Sequence, residues 1–317
     1  MKSKIRTSML SAVTLIAAGM ISDASFAAPT GRQYDTPEKA VDAFIGAVRK
    51  FNPKTLSSVL GKEAAPIFTT DDPVADEGER KRFLELYDSQ HQIVANANGS
   101  MVLTVGSGNA DWPFPIPIVK TKKGWAFDTA AGRDEILNRR IGRSELQTIQ
   151  TCLAMVAAQY EYFSRDRDGD GIREYAQSIR SSPGLHDGLF WPSEEDERQS
   201  PLGEVFASAA AEGYKPGSSA YHGYQFKLLP SQGPAAADGA YDYIVRGNQI
   251  GGFAVLAYPA SYGESGIMTF IVNHSGVIYQ RDLGAKTDSE VEKIKSFDPV
   301  AGWARVPDED LAPIPEE

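Results

Sequence analysis

Apolar residues recur along this chain with two different periods, and the change from one to the other divides it. Val41, Phe44, Ile45 and Val48 stand three or four residues apart, the spacing of one helical face. Just ahead of them, Asp35-Thr36-Pro37-Glu38 couples a capping residue to a first-turn proline and an early glutamate, so a helix begins there. Asn52-Pro53 opens a second, shorter helix that turns Leu56, Val59 and Leu60 inward and stops at Gly61. A third helix is predicted over Glu79 to Ser89. The period then falls to two. Gln92 to Ala95, Met101 to Val105, Ile116 to Lys120 and Trp125 to Asp128 read as strands, parted by Asn-Gly and Lys-Lys-Gly turns. The prolines of Trp112-Pro-Phe-Pro-Ile-Pro remove ladder donors, which confines that run to a sheet edge or a bend.

The charged stretch 132–146 predicts a short helix, a break at Gly142 and a new helix capped by Ser144. Leu146, Ile149, Leu153, Val156, Ala157, Tyr160 and Phe163 then form an apolar stripe along that second helix. Another helix is expected over Pro201 to Glu212. From Tyr221 onward strand follows strand: 224–229, 241–245, 252–258, 267–273 and 276–281, with a polar helix over Thr287 to Phe297. No internal repeat is visible. The reading is an α+β protein. A small domain of helices plus antiparallel sheet spans 28–138, in the order of cystatin-like or NTF2-like cones. A second α+β domain of one long helix on an antiparallel sheet spans 139–305, and a disordered acidic tail spans 306–317.

The first 27 residues belong to neither domain. Lys2, Lys4 and Arg6 precede an apolar stretch from Met9 to Ile21, and Ser25-Phe26-Ala27 offers small residues at both positions a signal peptidase reads. The stretch is shorter than the roughly 18 to 20 apolar residues a membrane span requires. A cleavable signal peptide is therefore expected, leaving Ala28 first in an exported periplasmic or secreted protein with no span in its mature chain. The signal carries +2 of the net −10, from Lys2, Lys4 and Arg6 against Asp23, so the mature part carries −12. A field of that sign argues against nucleic acid or anionic lipid as a partner. Cys152, the one cysteine, lies in a helical apolar run and reads as buried packing.

The sharpest local chemistry is Asp166-Arg-Asp168-Gly-Asp170-Gly171-Ile-Arg-Glu174. Carboxylates at alternate positions on a tight turn follow positions 1, 3, 5 and 9 of a calcium loop, with Gly171 at position 6 and Gln177 where the bidentate glutamate belongs. Asp166, Asp168, Asp170 and Glu174 are thus the candidate ligands of a structural calcium. The competing reading is an Asp-Gly turn in which Asp170 caps a helix from Ile172 to Ile179. His91, His186, His222 and His274 stand in no zinc spacing. Gly263-Glu-Ser265-Gly lacks the nucleophile-elbow pattern, and no phosphate loop or dinucleotide fingerprint is present. Arg133, Asp134, Glu135, Arg139, Arg140 and Arg143 either hold an anion in a cleft between the domains or, at their i, i+4 spacing, brace a helix.

Longer strings carry a resemblance. Asp111-Trp-Pro-Phe-Pro-Ile-Pro-Ile-Val-Lys, Gly124-Trp-Ala-Phe-Asp-Thr-Ala-Ala-Gly-Arg-Asp-Glu-Ile-Leu-Asn-Arg-Arg, Asp187-Gly-Leu-Phe-Trp-Pro, Tyr221-His-Gly-Tyr and Gly251-Gly-Phe-Ala-Val-Leu-Ala-Tyr-Pro-Ala resemble the bacterial domain-of-unknown-function 2950 family. The resemblance covers nearly the whole mature chain and implies no particular reaction. The second half, with Ala257-Tyr-Pro-Ala-Ser-Tyr-Gly-Glu-Ser-Gly, is also similar to the head domains of type IV pilins and pseudopilins, which implies a helix packed on a sheet. Two functional readings follow. The first is a non-enzymatic binding or assembly factor for another envelope protein. The second is a hydrolase with a non-local site built from His222, His274 and acidic neighbours such as Glu264, which imidazoles within reach of Glu264 or Ser265 in an open cleft would favour.

Overall fold

In the computed structural model, residues 29–313 are described, apart from 71, 107–111, 168, 193–198, 216–217 and 219. The expected signal peptide lies outside the described residues. Helix α1 (Pro37–Lys50) begins where Thr36 accepts the Lys39 amide, and α2 (Pro53–Leu60) where Asn52 accepts those of Lys54 and Thr55. After the single turn α3 (Ala65–Phe68), helix α4 (Pro73–Ser89) starts six residues earlier than its apolar spacing suggests. Asp72 caps it and Pro73 takes its first position, so capping sets the start of a helix that buries little besides Tyr87.

Strands β1 (His91–Ala95), β2 (Met101–Val105), β3 (Trp112–Pro113), β4 (Ile118–Thr121) and β5 (Gly124–Phe127) form an antiparallel sheet in the order β1-β2-β4-β5, with β3 on the margin of β2. The proline-rich run therefore contributes only two residues to the ladder, at an edge. Helices α1 and α2 pack on this sheet around Phe44, whose ring centroid is 4.8 Å from that of Phe114 and 5.4 Å from that of Phe127.

Helix α5 (Thr129–Phe163) runs unbroken for 35 residues, about 52 Å at 1.5 Å per residue. The break expected at Gly142 is absent, because one interior glycine costs only about 1 kcal/mol and packing on both sides holds the helix together. Ser144 caps nothing; its carbonyl accepts the Thr148 hydroxyl at 2.8 Å. The boundary expected between 138 and 139 lies inside this helix, which serves two cores. Its start packs Ile136 against the first, and Ile149, Cys152, Met155, Ala158 and Tyr162 face the second. Burial pushes the Cys152 thiol up to about 12, so it remains a protonated packing group.

Beyond α5 come β6 (Ser178–Arg180) and β7 (Gly188–Phe190), paired in parallel, then α6 (Gly203–Glu212). The remaining strands are β8 (Tyr224–Leu229), β9 (Ser231–Gln232), β10 (Tyr241–Asp242), β11 (Ile244–Val245), β12 (Asn248–Gln249), β13 (Ala254–Pro259), β14 (Met268–Asn273), β15 (Ile278–Asp282) and β16 (Ala304–Arg305), with α7 (Thr287–Val291) before the last. The main sheet is antiparallel in the order β16-β15-β14-β13-β8. Val255, Ala257, Phe270 and Val272 face α5, while Ala254, Leu256 and Ile271 face a layer holding Tyr243, Val291 and Phe297. Burial on both faces explains the near-continuous apolar runs of β13 and β14.

The helix expected over Thr287 to Phe297 ends at Val291 and continues as turns. The expected disordered tail is ordered as far as residue 313. Val306 is buried, Leu311 packs on the second core, and the Gln150 side-chain amide donates to the carbonyls of Leu311 and Ala312. Two apolar side chains outweigh the acidic composition there.

Two glycines of α5 make a paired test of this packing. A Cβ on Gly132 would stand 2.5 Å from the Pro115 carbonyl oxygen and 2.6 Å from the Ile116 Cα, whereas one on Gly142 meets nothing within 4 Å. Gly132→Ala is expected to destabilise the fold by about 2 kcal/mol through overpacking against backbone. Gly142→Ala should instead stabilise it by about 0.5 to 1 kcal/mol through helix propensity. Urea unfolding midpoints of the two variants check both signs.

Candidate functional site

Two cavities among the described residues stand out. The larger, about 630 Å³, lies between α5, α6 and the strands β6, β7 and β8. Helix α6 begins at Gly203 after the buried Leu202 and ends at Gly213, whose left-handed backbone closes the last turn on Ala209 and Ala210. Its Val205, Phe206 and Ala209 form one wall. Met155 of α5 and Phe226 and Leu228 of β8 form the others. Phe206 stacks on Phe190 with ring centroids 3.9 Å apart. The guanidinium carbon of Arg180 lies 4.4 Å from the centroid of Phe206 and 5.6 Å from that of Phe190, in cation–π contact with both rings.

Charge around this pocket has one sign. Arg180, Lys215 and Lys227 line it, and no aspartate or glutamate does among the described residues. That contrasts with a chain holding 42 acidic against 32 basic residues.

The pocket also borders the outer edge of β8, which ends its sheet and which β6 approaches without pairing to it. The Ala260 amide donates to the Gly223 carbonyl at 2.9 Å, so the bonded positions toward β13 are 223, 225, 227 and 229. Positions 224, 226 and 228 face away from β13. Tyr224 closes its two outward groups on Tyr221, at 3.0 and 2.8 Å. The outward amides and carbonyls of Phe226 and Leu228 have no backbone partner among the described residues.

The second cavity, about 420 Å³, opens between α4 and α5, where the two halves of the chain meet. Its floor is aromatic, with Phe44, Phe83 and Phe114. At one end Asp72, only 5 % exposed, joins the halves. One carboxylate oxygen accepts the Ala75 amide at 3.1 Å; the other accepts the Tyr214 hydroxyl at 2.7 Å and the Gly223 amide at 3.0 Å. The Tyr214 oxygen in turn accepts the His222 amide at 3.1 Å. Burial, then the Asp72 carboxylate, raise the Tyr214 phenol far above its usual range. His222 holds a left-handed backbone at φ 50°, with Nε2 3.5 Å from a Glu212 oxygen. Burial draws its imidazole down to about 4.

The residues singled out from sequence fall in several places. Arg139 pairs with Glu135 one turn away, and Arg143 pairs with Glu79 of α4, which matches bracing rather than an anion seat. Arg140 donates to the Ile67 carbonyl. In the Asp-rich loop, Asp166 accepts the amides of Gly169 and Gly171, and Asp170 accepts the Ile172 amide and the Asn248 side chain. Glu174 accepts the Gln249 amide at 3.0 Å, and Asp168 lies outside the described residues. Among the described residues no three histidine, cysteine, aspartate or glutamate side chains are grouped to hold a metal ion. The helix expected from Ile172 to Ile179 is absent. The chain passes into β6 instead, so Asp170 closes a turn rather than capping a helix.

The histidines do not converge. His91 stacks on Tyr87 and His186 on Trp191, while His274 sits edge-on to Tyr243 and Phe253. Ser265 lies beside Gly223, yet its hydroxyl donates to the Ser261 carbonyl and accepts the Ser261 amide. Sequence reasoning missed the α6–β8 pocket and Asp72. The cap signature Asp72-Pro73 and the apolar spacing Leu202, Val205, Phe206, Ala209 were the available signals.

No curated protein and no solved structure matches the chain. The family described as protein of unknown function DUF2950 matches residues 31–306, and the chain belongs to that family.

Proposed function

We propose that this protein binds its ligand without transforming it, and that the ligand occupies the pocket between α6 and β8. The observation that carries the reading is the pocket itself: apolar walls over about 630 Å³, with three cations and no carboxylate among its described lining residues. The alternative hydrolase finds less support, since the Ser265 hydroxyl is spent on backbone and His222 and His274 have separate surroundings. With an N-terminal segment that reads as a secretion signal, the natural setting is the bacterial envelope, and the natural ligand a component of another envelope protein.

The test is a titration with 1-anilinonaphthalene-8-sulfonate, an apolar anion. The chain from Ala28 onward is expected to bind one equivalent with micromolar affinity. Ala209→Trp, which fills the cavity from α6, should weaken binding at least tenfold while the melting temperature stays within a few degrees. Absence of saturable binding, or equal binding by the variant, would sink the reading.

A further inference from the structure

The pocket's chemistry also bears on what kind of ligand it holds, and this step rests on the binding reading above. We infer that the occupant is an extended, acidic peptide segment of a partner protein, added as a further strand along the outer edge of β8.

Three observations converge on it. First, β8 ends its sheet, and the outward amides and carbonyls of Phe226 and Leu228 find no backbone partner among the described residues. A chain running alongside would pair them as β13 pairs the other side, the way peptides add to open sheet edges. Second, the side chains of Tyr224, Phe226 and Leu228 share one face of β8 and line the pocket with Val205, Phe206 and Phe190. An added strand would turn every second residue toward that apolar surface, so its alternate residues are apolar. Third, Arg180, Lys215 and Lys227 surround the groove with no carboxylate among its described lining residues. The Arg180 guanidinium sits beside the two phenyl rings in cation–π contact, and its N–H groups are donors for an oxygen acceptor. A carboxylate on the incoming strand supplies the missing charge.

An acyl chain with an acidic head would satisfy the apolar walls and the cations but leave the edge amides unpaired. A peptide satisfies all three. Lys227 has a place in both states: it discourages edge-to-edge pairing of the free protein and meets the acidic partner in the complex.

The experiment is phage display of random dodecapeptides on the chain from Ala28 onward, counter-selected on the Arg180→Glu, Lys227→Glu double variant. Enriched peptides are expected to alternate apolar residues, to carry at least one aspartate or glutamate, and to displace 1-anilinonaphthalene-8-sulfonate. Their affinity, read by fluorescence anisotropy, should fall at least tenfold for the double variant. A second arm leaves the protein untouched. N-methylating the peptide amides on one alternating set should abolish binding, and methylating the other set should leave it within about threefold.

Enrichment indifferent to the double variant, or binding insensitive to either methylation pattern, would overturn the inference. So would displacement of the probe by dodecanoate with no peptide enriched, which would assign the pocket to an acyl chain. Loss of probe binding on concentration-dependent dimerisation would assign it to a second copy. If the probe binds and no peptide does, the peptide inference fails alone; if the probe does not bind either, the binding reading fails with it.

Discussion

Asp72→Ala is expected to destabilise the protein by about 4 kcal/mol. The substitution removes a helix cap, which costs about 1 kcal/mol, and two further hydrogen bonds to a buried carboxylate, each contributing about 1.5 to 3 kcal/mol. Asp72 sits at the start of α4 but receives the Tyr214 hydroxyl and the Gly223 amide from the far half of the chain. Its loss strands both donors and removes this one joint between the two halves. Against a typical total of 5 to 15 kcal/mol, that is a large share. Tyr214→Phe removes only the bridging hydroxyl and should cost about half as much. Urea unfolding followed by tryptophan fluorescence and by far-ultraviolet circular dichroism checks both. The two signals are expected to diverge in Asp72→Ala, because Trp112 and Trp125 report the first core and Trp191 the second. A loss under 1 kcal/mol would mean that the joint lies elsewhere.

The second large effect is a loss of stability in acid through His222. Burial lowers its imidazole from 6.5 to about 4, and this outweighs the opposing pull of Asp72 and Glu79. The folded state thus binds a proton less readily than the unfolded chain. The contribution is fully present above pH 6.5 and is lost as pH falls from 6.5 toward 4. A shift of that size corresponds to about 3 kcal/mol at 1.36 kcal/mol per pKa unit. The groups facing the ring are Glu212 at 3.5 Å, Tyr214 and Tyr221, with Asp72 and Glu79 beyond. Glu212 is itself raised, chiefly by burial. Comparison with His222→Asn isolates the imidazole, since asparagine tolerates the left-handed backbone at this position. Between pH 7.5 and 4.5 the wild type should lose about 2 to 3 kcal/mol more than the variant. Equal slopes would show that His222 titrates freely.

Much of the architecture was legible because its causes are local. Thr36-Pro37 and Asn52-Pro53 state their helices in the residues that cap them. The strands of both sheets announce themselves by alternation or by apolar runs between turns, and the α+β order follows from where the period changes. Helix α4 shows the limit of periodicity. Its start, Asp72-Pro73, carries the same local signature as the others, but its weak apolar stripe places only its last turns. Gly142 shows the opposite failure, where a local helix breaker is overruled by packing at both ends of α5.

The Asp-rich loop was visible as a motif, yet what its carboxylates do depends on Asn248 and Gln249, far along the chain. Asp72 and Tyr214 are 142 positions apart, and nothing in either neighbourhood names the other. The α6–β8 pocket draws walls from 151 to 228, and its cations join one face only when β6, the turn after α6 and β8 are brought together. The sequence by itself determined the first helices, the main strands, the α+β class and the family, because capping, periodicity and turn chemistry act over a few residues. The tertiary structure alone decided which edge stays open, which charges gather beside it and which carboxylate joins the halves, because those depend on contacts between segments whose separation leaves no local trace.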